Sequence, residues 1–65
     1  MARKVLQFDQ GDERVLRRAM EMLRRLGDRA GAIRIYEDFA RRMRAELEAD
    51  PSPETAALAA VIRKG

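Results

Sequence analysis

Apolar residues recur at helical spacing along most of this chain, in three stretches separated by turn-forming residues. The first stretch reads DERVLRRAMEMLRRLG, where Val15, Leu16, Ala19, Met20, Met22, Leu23 and Leu26 share one side and Arg14, Arg17, Arg18, Glu21, Arg24 and Arg25 hold the other. At 100° per residue the apolar set fills an arc of about 160°, wide enough to face two neighbours instead of one. Asp12 stands where a cap belongs and Gly27 where a left-handed residue closes a last turn, so a helix is expected over residues 12–26.

Asp28 is placed to cap a second helix, expected over residues 28–49, whose apolar side carries Ala32, Ile33, Ile35, Tyr36, Phe39, Ala40, Met43 and Leu47. On its other side Glu37 with Arg41, Asp38 with Arg42, Arg42 with Glu46 and Arg44 with Glu48 are spaced to pair. A link of only Gly27 and Asp28 forces the two helices back on one another as an antiparallel hairpin. Pro51 blocks further helix, and Ser52-Pro53-Glu54-Thr55 reads as a fresh start, with serine capping and proline in the first turn. A third helix over residues 52–63 has few large apolar residues, Leu58, Val61 and Ile62, and many alanines, so it is expected to lie closely on the hairpin as a lid. Residues 1–11 form an N-terminal segment in which Val5, Leu6 and Phe8 suit either a short strand or the frayed end of a helix.

Length sharpens this picture. A 65-residue chain makes one domain at most, and a lone core of that size is marginal, which makes oligomerisation an expectation. With no cysteine, neither disulfides nor thiolate metal sites add stability, and with no histidine the commonest general base and metal ligand is missing. Paired acids such as Glu46 and Glu48, or Asp9 and Asp12, do not converge as a catalytic pair must, and Ser52 and Thr55, the only aliphatic hydroxyls, read as helix-start residues. No enzymatic activity, cofactor or metal is therefore expected. No apolar run approaches a membrane span, and the chain reads as cytoplasmic without a signal peptide.

The net charge is +3, with eleven acids spread among fourteen bases. Arg17, Arg18, Arg24, Arg25, Arg41 and Arg42 form a candidate basic patch, but the intervening acids favour a solvated, ion-paired face over phosphate binding. A helix-turn-helix reading of the Gly27 turn fails, because the second helix is too long and too acidic outside for a recognition helix. Met20, Met22, Met43, Phe39 and Tyr36 suit either an ordinary core or a partner surface. The candidate interaction residues are Leu16, Met20, Leu23, Phe39, Met43 and Leu47, with arginines and acids at the rim setting partner choice.

The string GDRAGAIRIYEDFARRMRAELEADPSPET, residues 27–55, resembles the bacterial transcriptional activator domain, a helical region related to tetratricopeptide repeats. The resemblance rests on the Gly-Asp-Arg turn, Ala32 and Ile33 followed by Tyr36-Glu37, Glu46-Leu47, and the terminal PSPET, with Leu6, Phe8, Asp9, Asp12 and Glu13 matching the stretch upstream. Glu48 stands where that family usually has glycine, which suggests a longer second helix, and Gln10 where proline is usual. The resemblance covers the C-terminal part of such regulators and not their winged-helix domain, so DNA binding does not carry over. It implies an all-α, tetratricopeptide-like hairpin plus a C-terminal helix whose repeats bury their apolar faces against neighbours. The expected function is non-enzymatic protein interaction or oligomerisation, through self-association as a homodimer or with a regulatory partner. The rival readings are a small nucleic-acid-binding accessory protein and a helical fragment or designed scaffold without a separate function.

Overall fold

The computed structural model describes residues 10–65, with side chains from Asp12 onward. The expectation for the N-terminal segment, strand or frayed helix, falls mainly on residues 1–9 and lies outside the described residues. Three helices follow one another: α1 (Gln10–Arg25), α2 (Arg29–Leu47) and α3 (Pro53–Lys64). Helix α1 starts before Asp12, so Asp12 sits with Glu13 in its first turn instead of capping it, while Arg24 and Arg25 occupy the last turn. Acids at the start and bases at the end complement the helix dipole.

The corner between α1 and α2 follows from local chemistry. Gly27 has φ +85°, the left-handed conformation that costs a side-chain-bearing residue energy. Its amide donates to the Arg24 carbonyl at 3.0 Å and the Asp28 amide donates to the Leu23 carbonyl at 2.8 Å, which satisfies carbonyls that the helix end leaves open. Asp28 then turns from closing one helix to opening the next, its carboxylate accepting from the Gly31 amide at 2.9 Å. The hairpin that results is antiparallel, as its short link requires.

Helix α2 stops at Leu47, two residues short of the expected end. Glu48 itself adopts the left-handed conformation, φ 53°, and its amide returns to the Arg44 carbonyl at 3.1 Å. The physical reason is Pro51, which excludes its predecessor Asp50 from helical geometry, so the chain must turn before it. Arg44 steadies that exit through a 2.6 Å contact with Asp50. The charge pairs also differ from those that spacing suggested: Glu37 meets Arg63 of α3 at 2.8 Å instead of Arg41, Asp38 meets Arg41, and Arg44 meets Asp50 instead of Glu48.

Ser52 caps α3 and Pro53 occupies its first turn. The inward face of α3 is Thr55, Ala59 and Ile62, spaced four and three residues apart, with Val61 half exposed and Leu58 only partly buried. The small Ala59 lets the backbone of α3 approach the hairpin closely. Leu16, Met20, Ala32, Phe39, Met43, Ala59 and Ile62 make one core shared by all three helices, with Met20 fully buried at its centre.

Candidate functional site

The apolar arc of α1 is divided by the fold. Leu16, Met20 and Leu23, adjacent on the helical wheel, turn inward or partly inward. The other edge is left in water: Val15 is 67% exposed, Met22 64% and Leu26 75%. Leu26, in the turn directly after α1, still donates its amide to the Met22 carbonyl at 3.1 Å, so with 100° and 1.5 Å per residue the three fall within about 40° of one another on a stripe about 16 Å long. The arc predicted two neighbours for α1, and the fold supplies both, α2 and α3, yet this edge stays uncovered. A row of large exposed side chains on one helix face is the usual mark of an interaction surface, whereas single exposed apolar residues are unremarkable.

Beside the stripe, α1 and α3 enclose an open groove of about 720 Å³, with Met22, Ala57, Leu58 and Val61 supplying apolar lining and Arg14, Arg17, Arg18 and Arg25 the basic wall. Two acids also line it, but both are engaged: Glu54 lies 3.8 Å from Arg17, and Glu21 lies 3.4 Å from Arg24. Arg14, Arg18 and Arg25 have no ion pair or hydrogen bond among the described residues. The groove is therefore amphipathic, with a basic edge and an apolar floor.

A polar knot holds α3 against α1 at one end of this groove. The Glu13 carboxylate accepts from the Ser52 amide at 3.1 Å and from the Ser52 hydroxyl at 2.9 Å. It also accepts from the hydroxyl of Thr55, which is fully buried. Thr55 Oγ1 in turn accepts from Arg17 Nη1 at 2.9 Å, and Arg17 lies 3.8 Å from Glu13. Burial by itself pushes the Glu13 carboxyl up, but the bonds from Thr55 and Ser52, with the Arg17 charge, outweigh it and hold the group below its ordinary 4.5. Every buried side-chain polar atom among the described residues has a partner, so the knot costs no stranded group.

The residues singled out from sequence are distributed accordingly. Leu16, Met20, Phe39 and Met43 lie in the chain's own core, and Leu23 and Leu47 pack against it. They are covered because the hairpin and lid already use that side of α1 and α2. The six arginines do not form one patch: Arg17 serves the knot, Arg24 faces Glu21, Arg18 and Arg25 line the groove, and Arg41 and Arg42 border a separate depression with Ile35 and Phe39. Sequence reasoning missed Val15 and Leu26 as exposed surface, Arg14 as a groove residue, and Glu13 and Thr55 as a pair. The width of the α1 arc was the available signal for the first two. Nothing local signals a pair separated by 42 positions.

Among the described residues no helix is long and apolar enough to cross a membrane, and no group of three or more acidic side chains is placed to hold a metal ion. The family model described as the bacterial transcriptional activator domain matches residues 1–63. No curated protein and no solved structure matches the chain.

Proposed function

The chain belongs to the bacterial transcriptional activator domain family, and on that premise we propose that it is a non-enzymatic protein-association module of a cytoplasmic transcriptional regulator, working through the outer face of α1. The observation that carries the reading is the exposed half of the α1 arc, Val15, Met22 and Leu26. Leu16, Met20, Leu23, Phe39, Met43 and Leu47 serve as the scaffold that presents this face.

A second copy is the simplest occupant. If two α1 helices cross antiparallel about a two-fold axis, Val15 falls opposite the partner's Leu26 and Met22 opposite the partner's Ala19, so large meets large at the ends and large meets small at the centre. A two-fold contact needs this self-complementary arrangement. Three exposed side chains make a small contact beside the roughly 800 Å² that a stable interface buries on each side. The dimer should therefore be weak alone and gain strength when flanking domains raise its effective concentration.

The absence of native cysteine makes the register testable by disulfide trapping. Mixed Val15→Cys and Leu26→Cys chains should cross-link to each other several-fold faster than either links to itself. Equal rates for all pairings would reject the antiparallel arrangement.

A further inference from the structure

The unpaired arginines of the α1–α3 groove call for a ligand of their own. Arg17, Arg24, Arg41, Arg44 and Arg63 each meet an acid. Arg14, Arg18 and Arg25 meet none among the described residues, and these three line the same groove. They stand at i, i+4 and i+11 on α1, so their charges are strung over about 16 Å. A single phosphate or carboxylate cannot engage guanidinium groups spread that far. Three turns of a helix can.

The floor decides between the extended anions. Met22, Leu58 and Val61 present apolar side chains in the groove, with Met22 64% and Val61 49% exposed. A nucleic-acid backbone offers nothing to cover them, whereas an amphipathic helix does. Glu21 and Glu54 on the walls are paired with Arg24 and Arg17, so they weigh equally against either anion and leave the choice to the apolar floor. A second copy of this chain is a poorer match, because Glu37 and Asp38 of α2 are held by its own arginines and Glu46 is the one acid left on that helix to meet three guanidinium groups.

We propose that the α1–α3 groove docks an acidic amphipathic helix from a partner protein, its apolar stripe on Met22, Leu58 and Val61 and its carboxylates on Arg14, Arg18 and Arg25. This rests on the reading of the chain as an association module and adds a second surface to it. The recognition mode is a helix laid in a groove through apolar residues at i, i+3, i+4 and i+7, with charge setting orientation and on-rate. Because Met22 belongs to both surfaces, a docked helix competes with self-association at that residue.

The test is fluorescence anisotropy with a stapled helical peptide carrying leucine at i, i+3, i+4 and i+7 flanked by glutamate. Controls replace glutamate by lysine, or leucine by serine, and duplex DNA is titrated in parallel. The acidic amphipathic peptide should bind, weaken as salt rises, and lose about tenfold or more in affinity in the Arg14→Gln/Arg18→Gln/Arg25→Gln variant. Amide shifts should map to α1 and to residues 57–61. Failure of the acidic peptide to bind, equal binding of either control peptide, tighter binding of DNA, or indifference to the arginine variant would each overturn the proposal. Leu26→Glu separates the two surfaces, since it should abolish self-association while leaving peptide affinity within about twofold.

Discussion

Replacing Glu13 by alanine should undo the docking of α3. The carboxylate accepts from the Ser52 amide, the Ser52 hydroxyl and the Thr55 hydroxyl. A hydrogen bond to a charged group contributes about 1.5–3 kcal/mol, and three that share one acceptor group do not add fully. Thr55 keeps its bond from Arg17 at 2.9 Å after the substitution, so the stranded group is chiefly the half-buried Ser52 amide. The expected loss is about 3 kcal/mol, against a total of about 6 kcal/mol for a chain of this length. That is a fall of about 12–24 °C in Tm. Glu13→Gln retains one acceptor oxygen and should lose about half as much.

Urea denaturation followed by far-ultraviolet circular dichroism measures both, with Glu54→Ala as the exposed control. That control should change stability by less than about 0.5 kcal/mol. The cycle with Thr55→Val isolates the Glu13–Thr55 bond and should show coupling of about 1 kcal/mol. The pH dependence fixes the sign independently. The folded carboxyl titrates below the unfolded value of 4.5, so its contribution is complete above that value and disappears as pH falls through the lower folded one. The gap between the native chain and Glu13→Gln should therefore narrow as pH drops below 4.5. A loss under about 0.5 kcal/mol for Glu13→Ala, or a gap that widens on acidification, would refute the knot.

Other substitutions probe the frame that presents α1. Glu48→Gly should stabilise the chain by about 0.5–1 kcal/mol, because Glu48 holds a left-handed conformation that glycine adopts without steric cost; a destabilised variant in thermal melts would contradict that geometry. Met20→Ala opens a cavity at the fully buried centre of the core and should cost about 3 kcal/mol in the same urea titration, an outcome that a partner-facing Met20 would not produce.

The parts of the fold that were legible in sequence are those settled by neighbouring residues. Gly27, Asp28, Ser52 and Pro53 announce their roles because a helix end is a problem of a few backbone groups, and the solutions lie within four positions. Glu48 was misread because a non-glycine residue rarely accepts left-handed geometry, and only the constraint from Pro51 requires it here. The α1 arc was correctly too wide for one neighbour, yet periodicity alone does not say which edge is covered. That choice depends on where α3 lands, and α3 is placed by Glu13, Arg17 and Thr55 acting across the chain. The groove arginines were equally obscure: Arg14, Arg18 and Arg25 look like Arg17 and Arg24 until the fold gives some of them acids and leaves the others facing water.

Sedimentation equilibrium of the native chain and of Val15→Glu/Leu26→Glu tests the association face most directly. Both side chains are largely exposed in the monomer, so the charges should leave helicity and unfolding midpoint nearly unchanged. The native chain should gain mass with concentration into the high micromolar range while the variant remains monomeric. A native chain that stays monomeric throughout, or a variant that associates equally well, would contradict the account.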